Sequence, residues 1–184
     1  MCSSDLAEDP AAFDVERLRQ AFGGLRAVVD DLTDLGAVEA DQMRIVEAPF
    51  DLPTLIDTEV ALAAASAPAG AGAVRVEIAE TARDPLTGDG GRIAQILRNL
   101  LSNAHKYGDG PVDLVADCVD EDLVLEVLDR GPGLSAADQS RLFQPFARGE
   151  AAPRAAGAGL GLAVSARLAR RMGGELSADN RPEG

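Results

Sequence analysis

The 184-residue chain is 46% hydrophobic and carries a formal net charge of −14, which suits one globular domain with an appended element. So acidic a surface argues against nucleic acid as a partner, because it would repel phosphates over most of its area. No apolar run approaches the roughly 20 residues of a bilayer-spanning helix, so we expect a chain that is not inserted in a membrane.

The first six residues differ in character from the rest. Residues 1–6 (MCSSDL) match what a common sequencing-adapter end would encode from a GTG start. We therefore expect a non-native tail, with the natural chain starting near Ala7 and continuing upstream. The alternative is a short native tail, and the codons of residues 2–5 would decide between the two.

A heptad pattern follows. Between Phe13 and Val38 apolar residues alternate at spacings of four and three, at Leu18, Phe22, Leu25, Val29 and Leu32. This pattern predicts one long helix within residues 7–40 that packs against another helix.

Strand and helix patterns alternate in the next stretch. We predict a short strand over residues 43–49 and a helix from about 52 to 65, capped by Asp51 or Thr54. The alternation at 74–78 predicts another strand.

Residues 87–91 lead into a central helix that ends near Tyr107, with Asp89 as its cap, and this helix combines one apolar stripe with two amides that share a face. Asn99 and Asn103 are four apart and therefore share a face. Asparagine is a poor helix former, so the pair indicates a function. An amide oxygen is a hard neutral ligand, suited to a Mg²⁺ that also binds substrate phosphates. The alternative is an amphipathic surface helix that happens to carry two amides.

Charged and aromatic side chains end this helix. Lys106 is a point charge for a phosphate, and Tyr107 offers a flat face and a hydroxyl. Beyond it, residues 111–118 and 122–128 read as a hairpin turning at 120–121. Of the two cysteines, Cys2 and Cys118, the latter falls in the first of these strands, where we expect an inert core thiol in a reducing cytoplasm.

The second strand runs into a carboxylate and two glycines. Gly131 and Gly133 can take positive φ and let the backbone approach a flat ring. We expect the Asp129 carboxylate to be buried, where it could accept a hydrogen bond from an exocyclic amine. Adenine has that amine and guanine has a carbonyl in its place, so Asp129 would select adenine, by up to roughly ten-thousand-fold. The alternative is a strand followed by a Pro-Gly turn.

The remaining segments favour phosphate binding. Ser135 begins a short helix over residues 136–142, which precedes Phe143 and Phe146, two residues that we interpret as core anchors. Arg148 opens a mobile loop and could reach a terminal phosphate. A glycine-rich turn, residues 157–161, then opens a helix, and free N–H groups at such an entrance suit phosphates.

In this order, four segments resemble the N box, first glycine box, F box and second glycine box of the ATP-binding domain of sensor histidine kinases. They are NLLSNAHKY (99–107), DRGPGL (129–134), FQPF (143–146) and GAGLGL (157–162). The resemblance spans about residues 92–174 and places the chain beside gyrase, the Hsp90 chaperones and MutL. It implies an α/β (α+β) sandwich of the Bergerat type. In that fold a mixed, mostly antiparallel sheet carries helices on one face, and one long helix precedes it here.

The resemblance implies ATP and Mg²⁺ as cofactors. Asp129 would hold the adenine amine, and Asn99 with Asn103 would order the metal. Lys106 and Arg148 would steady the phosphates. The residues expected around the nucleotide are Asn103, Lys106, Tyr107, Asp129, Gly131, Gly133, Leu134, Phe146, Gly157, Gly159, Leu160, Gly161 and Leu162.

The implied reaction passes the γ-phosphate of ATP to a histidine, for relay to a response regulator receiver domain. Hydrolysing members of the family place a glutamate four residues before the magnesium asparagine. Here that place is Asn99, which cannot take a proton, so we expect transfer with slow hydrolysis. His105, the only histidine, lies inside the N box and is expected near the helix end, not as the phospho-acceptor.

The implied organisation has two parts. Residues 7–40 resemble the second helix of the dimerisation and phosphotransfer hairpin, whose first helix is absent. Residues 41–184 resemble the ATP-binding domain, with a strand starting near Glu175 and the last strand missing. The full-length parent would be a homodimer through that hairpin. It would be cytoplasmic, with a possible anchor in the inner membrane.

Two alternatives remain at this point. One is a degenerate kinase-like scaffold or phosphotransfer module that binds partners without using ATP, although the asparagines and both glycine boxes are intact. The other is a serine-directed anti-sigma kinase of the same superfamily, which normally lacks the leading dimerisation helix.

Overall fold

The computed structural model describes residues 43–68, 70–147 and 158–181, together with positions 22, 25, 29, 32, 33 and 36. These six separate positions are all helical. The rest of the predicted leading helix and the tail at residues 1–6 lie outside the described residues. The elements are β1 (Ala48–Phe50), α1 (Leu52–Ser66), β2 (Val74–Ile78), β3 (Leu86–Gly88), α2 (Gly90–Tyr107), β4 (Val112–Val119), β5 (Asp122–Leu128), α3 (Ala136–Arg141) and α4 (Gly161–Arg171).

The main sheet is mixed, as expected. Its order is β2-β4-β5, with β2 parallel to β4 and β4 antiparallel to β5. A separate ribbon pairs β1 with β3 antiparallel. The predicted β4–β5 hairpin turns at Asp120 (φ 51°) and Glu121 (φ 75°). Two consecutive positive φ values fit a two-residue turn of the type that follows the twist of the strands.

One face of this sheet is covered by α1 and α2. Val112, Leu114 and Ala116 alternate along β4 and are buried. They form one apolar cluster with side chains of the two helices: Leu52, Ile56, Ala63, Leu97, Leu101 and Ala104. Burying a leucine side chain contributes about 2 kcal/mol, so this shared cluster fixes how α2 lies on the sheet.

Three predicted helix caps are confirmed. Asp51 accepts a hydrogen bond from Thr54 N (2.9 Å), and hydrogen bonds from Thr54 lower the pKa of this carboxyl. Ser135 Oγ accepts from Asp138 N at 3.1 Å. Asp89 caps α2 through Arg92 N (3.1 Å). Each cap satisfies an N–H group that the helix itself leaves unpaired.

The strand predicted over residues 43–49 is wrong for most of its length, because β1 begins only at Ala48. The backbone before it is engaged elsewhere. Val46 N donates to Asp89 Oδ2 (3.0 Å), and Met43 O accepts from Arg171 Nη2 (3.0 Å). The Met43 side chain is buried against α4. These contacts use groups that strand pairing would need.

The strand predicted to start near Glu175 is also absent from the described residues, since residues 174–181 have no regular structure. This segment is attached to the rest of the domain by side-chain hydrogen bonds and not by the backbone hydrogen bonds of a β-ladder. Asn180 and Arg181 both bind the backbone of the loop that follows β5.

Cys118 lies in β4 as predicted and packs against the main apolar cluster while remaining partly accessible. Burial, and then the charge of Asp117, raises the pKa of its thiol. The reactive thiolate is therefore disfavoured, in agreement with an inert thiol. Within the described ranges, no helix combines the length and apolar character needed to span a bilayer.

A bidentate ion pair joins α1 to α2. Arg98 Nε donates to Glu59 Oε2 (2.9 Å) and Arg98 Nη2 to Glu59 Oε1 (2.7 Å). The Glu59 side chain is 4% exposed, whereas that of Arg98 is 55% exposed. The two partners therefore differ in what their removal leaves behind: a buried carboxylate in one case, a solvated guanidinium in the other.

We predict that Arg98→Ala lowers the free energy of unfolding by about 3 kcal/mol, because it strands a buried carboxylate. Glu59→Leu should cost about 1 kcal/mol or less, because water still reaches Arg98. Urea denaturation followed by circular dichroism measures both. Arg75→Ala is the control: its ion pair with Asp113 is long (3.7 Å) and Arg75 is 67% exposed, so little change is expected. Equal losses for Arg98→Ala and Glu59→Leu would contradict the asymmetry.

Candidate functional site

Helix α2 has one face in the core and one face open. Leu97, Leu101 and Ala104 are buried, which turns Asn99 and Asn103 to the other side, where both are half-buried. Lys106 and Tyr107 follow at the helix end and are exposed. At about 1.5 Å per residue, the distance from Asn99 to Tyr107 along the axis is about 12 Å. The predicted polar residues thus form a row long enough to contact two parts of an extended ligand.

Asn99 connects this row to the start of α4. Its Nδ2 donates to Gly161 O (3.2 Å) and to Ser165 Oγ (3.1 Å). A carbonyl oxygen can only accept, so the amide nitrogen must face α4, and Oδ1 remains as its acceptor. A Cβ on Gly161 would lie 3.3 Å from Asn99 Cγ. The sequence did not indicate this contact, nor the buried Ser165 that shares it.

Asn103 and Lys106 are two further polar residues of the row. The Asn103 amide and the Lys106 ammonium make no hydrogen bond or ion pair with the part of the chain that the structure describes. Together with Asn99 Oδ1 they offer two neutral oxygens and one cation along the same helix face. A hard divalent ion bound jointly with phosphates fits this donor set.

The loop after β5 packs against the end of α2. Asp129 is half-buried, not buried as the sequence suggested. Its Oδ1 accepts a hydrogen bond from Gly131 N (2.8 Å), which leaves Oδ2 for another donor. A Cβ on Gly131 would lie 2.8 Å from Tyr107 O, and one on Gly108 would lie 2.9 Å from Asp129 Cβ. Both positions therefore require glycine for the close approach.

Gly108 was not identified from the sequence as part of this site. Its only signal is a glycine placed directly after a helix, and that also marks ordinary helix ends. In the structure a Cβ there would also lie 2.5 Å from Ala104 O.

The far end of the same loop is held by the segment after α4. Gly133 has φ 73°, which a side chain would disfavour. Leu134 N donates to Asn180 Oδ1 (2.7 Å), and Asn180 Nδ2 donates to Leu134 O (2.7 Å). Arg181 Nη2 donates to Asp129 O at 3.3 Å. Sequence reasoning missed Asn180 and Arg181, which lie in no recognisable motif.

The F box and the second glycine box are in contact. Phe146 N donates to Gly159 O (2.9 Å), and both residues have positive φ, 63° and 71°. The Phe146 side chain is 63% exposed, so its interpretation as a core anchor is wrong, while Phe143 is half-buried. The predicted residues Arg148 and Gly157 lie outside the described residues.

Leu160 has a structural role through its side chain. It is 1% exposed and packs with Met43, Val164 and Leu168. A bound ligand could therefore meet Leu160 only through its backbone. Among the described residues no side chain caps the first turn of α4, so the N–H groups that begin at Gly161, beside Asn99, have no side-chain partner within that part of the chain.

His105 lies in the last turn of α2, as predicted. Its Nε2 is buried and has no hydrogen-bond partner among the described residues. A buried ring nitrogen is poorly placed to accept a phosphoryl group, in agreement with the interpretation of His105 as a helix-end side chain.

Comparison with known proteins identifies the family. The family "Histidine kinase-, DNA gyrase B-, and HSP90-like ATPase" matches residues 88–184. Sensor protein TorS of Escherichia coli is 33% identical over 97% of this chain and 20% of its own length. Signal transduction histidine-protein kinase BarA of the same organism is 30% identical over 90% of this chain and 19% of its own length. This chain therefore spans about a fifth of the length of these two relatives.

Solved structures agree. Full-length ShkA, in complex with AMPPNP, superposes with a TM-score of 0.74 and 28% identity, over 92% of this chain and 35% of ShkA. Histidine kinase AdeS of Acinetobacter baumannii gives a TM-score of 0.70 and 25% identity, over 90% of this chain and 75% of AdeS. The chain belongs to the histidine kinase-, DNA gyrase B- and HSP90-like ATPase family, as the catalytic domain of a two-component sensor histidine kinase.

Proposed function

We propose that this domain binds ATP with Mg²⁺ and transfers the γ-phosphate to a histidine on a dimerisation helix, for relay to the receiver domain of a response regulator. One observation carries the proposal. Helix α2 contacts the Asp129 loop at its end and the open start of α4 at Asn99. A site for a base at one end and a site for phosphates at the other would thereby be joined by one row of polar side chains.

The base would bind at the Asp129 end. Because Gly131 N already holds Oδ1, the carboxylate is oriented before any ligand arrives. Its Oδ2 would accept the exocyclic amine of adenine. Tyr107 would lie beside the sugar and base, and the glycines at 131 and 133 would let the backbone come close to the ring.

The phosphates would bind at the other end. Lys106 supplies a positive charge, and the α4 entrance supplies N–H groups and the positive end of a helix dipole. The amide oxygens of Asn99 and Asn103 would hold Mg²⁺. When bound, the ion would neutralise charge on the phosphates. Because both amides are neutral, we expect this ion to bind together with the nucleotide and weakly without it.

The same side chains favour transfer over hydrolysis. Phosphoryl transfer depends on positioning and charge neutralisation more than on covalent chemistry by the protein. A general base for water must be able to take a proton. The Asn99 amide cannot do so, and its nitrogen is already bonded to Gly161 and Ser165.

The phospho-acceptor and partners belong to the longer protein. The described positions of the heptad, Phe22, Leu25, Val29 and Leu32, are helical and exposed. This supports residues 7–40 as a helix of the dimerisation hairpin, whose apolar seam would pack against the other helices of a dimer. The similarity to sensor kinases such as TorS and BarA supports a receiver domain as the next phosphate carrier.

We predict that Asp129→Asn weakens ATP binding by about a hundredfold or more. In this variant the side-chain NH₂ group would face the exocyclic amine of adenine, and neither donor would then have an acceptor. Isothermal titration calorimetry with Mg-ATP measures the loss. Asp109→Asn is the matched control, since it removes a nearby exposed carboxylate outside the loop. Unchanged affinity of Asp129→Asn would contradict the adenine assignment.

A second prediction concerns the metal. Adding Mg²⁺ should tighten ATP binding to the unaltered chain, and Asn103→Ala should abolish most of that gain. Titrations with and without Mg²⁺ give the two dissociation constants for each protein. A gain that survives in Asn103→Ala would show that the ion is held without this amide. A chain that binds no nucleotide under either condition would support the scaffold alternative.

The reaction is tested by adding a dimerisation hairpin that carries the histidine from a sensor kinase relative. With ATP labelled at the γ-phosphate, the label should appear on the hairpin and show the acid lability of phosphohistidine. Without the hairpin, release of free phosphate should be about tenfold or more slower than transfer of the label to the hairpin, because the Asn99 amide cannot activate water. Fast release with no label on the hairpin would identify an ATPase instead.

A further inference from the structure

The segment after α4 makes a contact that no recognised box includes. Residues 174–181 have no regular structure, yet Asn180 binds both backbone groups of Leu134 through one side chain. The two bonds are 2.7 Å each, with Asn180 Oδ1 accepting from Leu134 N and Nδ2 donating to Leu134 O. This pair reproduces what a neighbouring strand residue would offer to Leu134.

The adjacent residue acts on the other end of the same loop. Arg181 Nη2 donates to Asp129 O at 3.3 Å. Between these two ties lies Gly133, where an added Cβ would lie 3.0 Å from Asn180 Oδ1. Asn180 is exposed, but its side chain lies close to the loop, and the consecutive side chains of Asn180 and Arg181 bind the residue at each end of it.

This loop carries the carboxylate on which base recognition depends. Gly131 N orients the Asp129 side chain from within the loop. The loop itself contacts α2 near Tyr107 and the segment after α4 near Leu134. Loosening the second contact leaves the Leu134 end of the loop held only by the chain that continues into α3, and the direction of the carboxylate is then less well defined. A loss of this kind falls on contacts to the base more than on contacts to the phosphates.

We propose that Asn180 is a positioning residue for base recognition, with Arg181 as a second tie on the same loop. The proposal rests on the proposed binding of ATP at Asp129. Asn180 does not touch the base; it acts by fixing the backbone of Leu134. The four boxes do not include this residue, because Asn180 lies 46 positions beyond Leu134 in the sequence.

The test compares two nucleotides that differ only at the group Asp129 would bind. One is Mg-ATP, and the other is purine riboside triphosphate, which has hydrogen in place of the exocyclic amine. For Asn180→Ala we expect affinity for ATP to fall by about tenfold, as for the weakening of one hydrogen bond from the adenine amine to the Asp129 carboxylate. Affinity for the analogue should fall by less than about threefold, because it makes no bond to Asp129. The preference for ATP over the analogue should therefore shrink.

Asp179→Ala is the matched control. Asp179 is the exposed neighbour of Asn180 and has no hydrogen bond or ion pair to the described residues, so its affinities for both nucleotides should equal those of the unaltered chain. Asn180→Asp provides a conservative comparison. It keeps the acceptor for Leu134 N and places an oxygen against Leu134 O, so it should also lose preference for ATP.

Equal losses for the two nucleotides, with a lower melting temperature, would overturn the proposal and leave Asn180 as an anchor of the chain only. Unchanged affinities in Asn180→Ala would overturn it as well. As long as the unaltered chain binds ATP, neither of these results contradicts the proposed function. If the unaltered chain binds neither nucleotide, the proposed ATP binding and the proposed role of Asn180 both fail. Should Asn180→Ala not fold, Arg181→Ala is measured in the same way, with the same reduced preference expected and an unchanged preference counting against the proposal.

Discussion

The burial of one side of α2 against β4 is the constraint on which the site depends. Leu97 and Leu101 are packed with Leu114 in one apolar cluster, so the helix cannot rotate without exposing them. With that side fixed, helical periodicity decides where Asn99 and Asn103 must point. Core packing therefore determines the direction of polar groups that lie outside this apolar cluster.

Local patterns predicted much of this fold. The caps at Asp51, Asp89 and Ser135 could be read from the sequence because a cap depends on a residue and its next three or four neighbours. The hairpin turn at 120–121 is equally local. Apolar residues alternate along β4 and form a stripe along α2, because each of these elements buries one face. All of these are decided within one element or between adjacent ones.

The errors and omissions arise where distant segments compete for the same backbone. Residues 43–47 form no strand because Asp89 and Arg171, far along the chain, take up their N–H and C=O groups. Phe146 is exposed because its backbone turns at positive φ to meet Gly159. The tie from Asn180 to Leu134 has no periodic signal at all. At the candidate site, the boxes named residues that the structure brings together around α2, but the orientation of the Asn99 amide required knowledge of Gly161 and Ser165.

The small apolar group around Leu160 has a structural consequence. Met43 packs on Leu160, Val164 and Leu168, and its carbonyl accepts from Arg171. The position of residue 43 is therefore set by α4, the helix whose first turn lies beside Asn99.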